Sequence, residues 1–157
     1  MNTLPERVVA AAASAGRRIA AAESLTAGLV AAELASVPGA SAVLQGGVVA
    51  YSNSVKESVL SVDGTLLQQA GSVDARVAEG MAAGARRLLA ADIGVSTTGV
   101  AGPEPHDGKP VGTVFIGIAG PSGVRSRGYL FDGDRASIRA QACTAALELL
   151  AAELGSA

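Results

Sequence analysis

Apolar and polar positions recur along this chain with two periods, and the places where the period changes mark out its elements. Leu4, Val8, Val9 and Ala12 fall at helical spacing, with Pro5 in the first turn and Gly16 just beyond, so residues 3–15 read as a helix. Residues 17–22 read as a first strand, and the small-residue pattern of 27–36, stopped by Pro38-Gly39, as a helix. Residues 43–51 read as a second strand, with Gly46-Gly47 inside it marking a bulge or a close approach by another backbone or a ligand. Ser54-x-x-Glu57 has the form of a capping box and predicts a short helix to about Leu60. A further short helix is expected over 65–70. A long one is expected from Asp74 to Ala90, with Val77, Met81, Ala85 and Leu88 on one face.

Residues 93–98 form an apolar strand pattern, 99–110 a loop, and 111–119 a strand. Pro121-Ser122-Gly123 turns the chain into a facing strand, 124–131, so this pair reads as a hairpin. Asp132-Gly133-Asp134 leads into a last helix over 135–153. Strands alternating with helices predict a three-layer α/β/α sandwich, and the hairpin makes its sheet mixed, here expected to be mostly parallel. Ligands on such sheets sit outside the carboxyl ends of the strands. That rule gathers Ser24, residues 51–56 and the 98–110 loop along one edge.

Composition narrows the function classes. A chain of 157 residues is expected to form one domain, 1–157. Apolar content of 49% and a mean hydropathy of +0.38 argue against disorder, while only 3% aromatics means close packing through small side chains. A net charge of −2 without a basic block argues against a nucleic-acid partner. Cys143 is the only cysteine, which leaves no internal disulfide and no cysteine metal site. No stretch has the roughly 20 apolar residues of a membrane span, and residues 1–7 lack a signal-peptide pattern. No membrane partner is expected, and the expected compartment is the cytoplasm.

The candidate chemistry centres on Ala20 to Gly28, where a strand runs into a helix through Glu23, Ser24 and Thr26. Hydroxyls there lie beside unpaired N–H groups that favour a phosphate or a developing oxyanion, although Ser and Thr are also the commonest helix caps. His106 is the only histidine, so a histidine metal cluster is excluded. A Ser24–His106–Asp107 triad is disfavoured because the acid adjoins the imidazole it would have to orient. As a lone loop histidine, His106 reads as a surface residue. Gly102 to Lys109 fails as a phosphate-binding P-loop, with five residues between Gly102 and Gly108 and Pro110 where Ser or Thr would hold magnesium. No Gly-x-Gly-x-x-Gly follows the first strand.

A histidine-free serine needs another base, and a neutral lysine serves. If Ser54 caps its helix, Lys56 lies in the first turn, where the helix dipole disfavours the ammonium; the alternative is a solvated surface lysine. Tyr51 offers a phenol to relay a proton, or is a strand-end aromatic. Gly99 and Gly102 permit an anion-binding nest, or an ordinary turn. Arg135 and Arg139, four apart, share a helix face and would clamp a phosphate or pair with surface acids.

Five strings resemble the CinA C-terminal domain family: Ala-Glu-Ser-Leu-Thr-Ala-Gly (22–28), Gly-Val-Val-Ala-Tyr-Ser-Asn-Ser-Val-Lys (47–56), Thr-Gly-Val-Ala-Gly-Pro (98–103), Lys-Pro-Val-Gly-Thr-Val (109–114) and Phe-Asp-Gly-Asp-Arg-Ala-Ser-Ile-Arg (131–139). The resemblance spans residues 4–153. It implies a mixed five-stranded sheet in a three-layer sandwich and nicotinamide mononucleotide deamidase activity, giving nicotinate mononucleotide and ammonia without a cofactor. It further implies Ser24 as nucleophile, Lys56 as base and Tyr51 as the accompanying tyrosine. Thr98, Gly99, Ala101 and Gly102 would line the substrate site, and Arg139 would lie on its phosphate side. Thr26, Gly28 and Gly47 complete the expected substrate-binding set. The chain departs from the family pattern at Leu25 and Ala27, where Cys and Gly are usual, and at Glu104-Pro105, where Asp-Gly often stands. The expected partner is a small nucleotide substrate, in a homo-oligomer, dimer or higher. The rival reading is a non-catalytic nucleotide-binding or regulatory module using the same pocket.

Overall fold

The computed structural model describes residues 1–155. Five strands form one sheet in the order β2-β1-β3-β4-β5: β1 Ile19–Glu23, β2 Leu44–Val49, β3 Ile93–Gly99, β4 Thr113–Gly120 and β5 Gly123–Leu130. Among the described residues six α-helices accompany it, of which α2, α5 and α6 pack directly on the strands: α1 Leu4–Ala15, α2 Leu29–Ala35, α3 Asn53–Ser58, α4 Gly64–Ala70, α5 Ala75–Leu88 and α6 Arg135–Gly155. The sheet is mixed but not mostly parallel. β1 pairs in parallel with β2 and β3, whereas β3–β4 and β4–β5 are antiparallel. The reason lies between β3 and β4, where a loop stands in place of the crossover helix that a parallel neighbour requires.

Local signals set the helix ends. Thr3 and Glu6 cap α1 reciprocally, and Gly16 (φ 62) ends it. Asp74 caps α5 through the Arg76 N–H at 2.8 Å. Val77, Met81 and Ala85 of α5 are buried as the spacing requires, but Leu88 is 51% exposed. The capping box at Ser54 does not form. Ser52 carries the extended backbone and accepts from Val55 N, so α3 begins at Asn53 and Ser54 lies inside it.

β1 is buried on both faces, as a central strand should be. Ile19 and Ala21 join a core with residues of α1, α2 and α6, while Ala20 and Ala22 join one with Leu60, Leu67 and residues of α5. α5 lies unusually near the sheet because β3 and β4 present glycines to it. A Cβ at Gly94 would strike Ala82 O, and one at Gly117 would strike Ala78 O. Gly117→Ala should therefore destabilise the fold by about 1–3 kcal/mol, read from urea denaturation. Among the described residues no helix is long and apolar enough to cross a membrane.

Candidate active site

β1, β2 and β3 point their carboxyl ends to one edge, and there a cavity of about 370 Å³ opens, within the range of about 300–1,000 Å³ of small-molecule sites. Ser24 and Leu25 from the turn after β1, Tyr51 after β2, and Gly99, Ala101 and Gly102 at the end of β3 line it. Ser72, Glu104, His106 and Arg135 supply further polar wall.

The Lys56 amine lies 3.0 Å from Ser24 Oγ and donates to Tyr51 O at 3.0 Å. Lys56 is 1% exposed, and burial lowers its pKa from 10.5 to about 8. No carboxylate lies within ion-pair distance of it among the described residues. With Ser52 as the cap, Lys56 is the fourth residue of a six-residue helix rather than part of its first turn, and desolvation, not the dipole, depresses the amine. A neutral amine here keeps its bond to the Tyr51 carbonyl and accepts the Ser24 proton.

The turn carrying Ser24 is held from inside. Glu23, 2% exposed, accepts from Thr26 Oγ1 (2.6 Å), Val30 N (2.8 Å) and Ala31 N (3.1 Å). The start of α2 is thus closed by a protein carboxylate, so it offers no anion site of the kind the strand-to-helix junction suggests. Thr26 is correspondingly buried, its hydroxyl also 2.7 Å from Thr97 Oγ1, and does not reach the cavity. Ala27 (φ 49) and Gly28 (φ 104) carry the chain through the left-handed region into α2. Ala27 accepts that strain with its methyl exposed. Removing the carboxylate in Glu23→Ala should orphan these donors and cost about 2–4 kcal/mol, seen as a lowered melting temperature.

Other candidates are also placed away from the cavity. Gly28 caps α2. Gly47 lies on β2 against Ala31 and Ala21. Thr98 is buried, donating to Ser72 O at 2.7 Å. Arg139 does not meet the cavity as a phosphate-side residue. Its guanidinium donates to Leu25 O (2.8 Å) and Thr26 O (3.2 Å), bracing the Ser24 turn. Arg135, one turn earlier on α6, lines the cavity and donates to Tyr51 Oη (2.9 Å) and Gly102 O (2.7 Å). The Tyr51 phenol is thus engaged by Arg135, while its carbonyl is what meets Lys56. Ser72 and Glu104 escape the sequence reading, because nothing local marks either residue as facing a ligand. A left-handed Asp107 (φ 49) does bring Oδ2 to 3.2 Å from the neighbouring His106 Nε2, where it also accepts from Ser72 N at 3.1 Å. Ser24 nonetheless pairs with Lys56.

Cys143 is buried outside the cavity, its thiol pushed up to about 12 by burial and then by the charges of Glu23 and Glu33. Among the described residues no cluster of three or more His, Cys, Asp or Glu could hold a metal ion.

Residues 1–154 match the model of the CinA C-terminal domain. A CinA-like protein of Frankia casuarinae is 52% identical over 132 residues, covering 84% of this chain and 30% of that protein. A putative competence-damage inducible protein of Desulforamulus reducens is 50% identical over 86% of this chain and 33% of its own length. The chain thus spans about a third of the curated relatives it matches. Among solved structures, a CinA superfamily protein of Klebsiella pneumoniae superposes with TM-score 0.94 at 33% identity, covering 98% of this chain and 97% of that one. The competence/damage inducible protein CihA of Agrobacterium tumefaciens gives 0.91 at 35%, covering 97% and 93%.

Proposed function

The chain belongs to the CinA C-terminal domain family, and we propose that it hydrolyses the carboxamide of nicotinamide mononucleotide to nicotinate mononucleotide and ammonia. The observation that carries this reading is the hydroxyl of Ser24, a cavity-lining residue, 3.0 Å from the buried Lys56 amine behind it. Neutral Lys56 takes the Ser24 proton as Oγ attacks the carboxamide carbon. The tetrahedral oxyanion falls beside the Ser24 turn, where the N–H of Leu25, a residue of the cavity lining, has no acceptor among the described residues. Lys56 returns the proton to the departing nitrogen, which leaves as ammonia with an ester on Ser24. Lys56 then deprotonates water, which adds to the ester; the C–Oγ bond breaks, Lys56 returns its proton to Ser24 Oγ, and the product leaves as the carboxylate with its acid proton lost to solvent. Tyr51 contributes its carbonyl to Lys56 and its phenol to the wall.

The test is ammonia release from the mononucleotide. Stoichiometric nicotinate mononucleotide should form, and EDTA should leave the rate unchanged, because the proposed steps use side chains alone. Binding without ammonia would favour the regulatory reading. Loss of turnover in EDTA, restored by one added metal, would sink the serine–lysine mechanism.

A further inference from the structure

His106 is the chain's only histidine, and the proposed chemistry leaves it unused although it lines the Ser24 cavity. The loop beneath it is pinned. His106 N donates to Lys109 O at 3.2 Å and Lys109 N to His106 O at 2.8 Å. The two residues between, Asp107 (φ 49) and Gly108 (φ 72), are both left-handed, as in a two-residue hairpin turn of type I′. That turn folds the Asp107 carboxylate back, so that Oδ2 accepts from Ser72 N at 3.1 Å and lies 3.2 Å from His106 Nε2.

We propose that His106 is a further ligand-contacting residue of this cavity, its imidazolium holding the anionic end of the ligand, a phosphomonoester on the deamidase reading above. The charge inventory of the wall carries the argument. Among the described residues lining the cavity, Arg135 and His106 alone have side chains that can be cationic. Arg135 is already donating to Gly102 O and Tyr51 Oη. Glu104 is the one carboxylate in the lining and opposes an anion. The other titratable groups around the ring are Asp107 behind it, Lys109 across the turn, Asp74 beside Lys109, and Tyr51 from the end of β2. A phosphate entering this space favours the protonated ring, and by linkage the protonated ring tightens phosphate binding by the same factor.

A single histidine gives a single imidazole signal, so its titration can be followed by NMR in the full chain. Saturating inorganic phosphate, or nicotinamide mononucleotide added to the Ser24→Ala variant, should raise the His106 midpoint by about 1 pH unit. Nicotinamide riboside, which lacks the phosphate, should not. His106→Gln should abolish the tightening of KM at lower pH while leaving the pH dependence of kcat in place, and Glu104→Gln should tighten phosphate binding. A midpoint unmoved by both phosphate and mononucleotide overturns the proposal, as does equal movement with the riboside. A moved midpoint without ammonia release would sink the deamidase reading and keep this one; ammonia release with a fixed midpoint would do the reverse.

Discussion

Ser24→Ala should lower turnover of nicotinamide mononucleotide about ten-thousandfold or more while the protein stays folded and still binds the mononucleotide. The hydroxyl is not a cap in this structure. Glu23, not Ser24, takes the N–H groups of Val30 and Ala31 at the start of α2, and the Ser24 N–H is fixed by Thr97 O at 2.9 Å. Deleting Oγ therefore removes little that holds the turn. Lys56 keeps its bond to the Tyr51 carbonyl, so the lysine is not left without a partner. Stability should change by no more than about 1 kcal/mol. A variant retaining a tenth of the rate would show that Oγ is not the attacking atom. A variant that fails to fold would show that the turn depends on it.

Lys56 should show the opposite pattern, with function and stability moving apart. Burial holds its amine at about 8 rather than 10.5, so the folded chain binds fewer protons than the unfolded chain between those values. Stability must then rise with pH from about 8 to about 10.5, and below that window the buried ammonium costs about 3 kcal/mol. Lys56→Met removes this cost and should raise stability at pH 7 by about 2 kcal/mol, while turnover falls about 100- to 10,000-fold for want of a base. Lys56→Arg keeps a charge that cannot be lost, so it should be as inactive as the methionine variant without its gain in stability. The wild-type rate should climb as pH rises through about 8, since only about one amine in ten is neutral at pH 7. An arginine variant with most of the wild-type rate would make Lys56 an electrostatic anchor for the substrate rather than a base.

Much of this arrangement was legible from residue order alone, for a physical reason. The period changes locate the ends of β1, β2 and β3, and the carboxyl-end rule then puts Ser24, Tyr51, Lys56 and the loop after β3 on one edge without any side-chain detail. What stayed hidden depends on contacts between residues distant in sequence. Both Ser52 and Ser54 are competent caps, and only the backbone at Ser52 decides between them. Glu23 adjoins Ser24 in sequence, yet its role follows from the left-handed turn at Ala27 and Gly28 that brings α2 back over it. Arg135 and Arg139 share a helix face, but the Ser24 turn takes Arg139 for its carbonyls and leaves Arg135 to the cavity. The sheet departs from the expected parallel bias at β4, because the chain between β3 and β4 carries no crossover helix.

The central claim is a covalent step at Ser24, and acid-quenched mass spectrometry during turnover of nicotinamide mononucleotide reads it directly. A nicotinoyl ester should appear on the peptide containing Ser24 and be absent from Ser24→Ala. Ammonia release with no adduct on that peptide under any quench condition would contradict it.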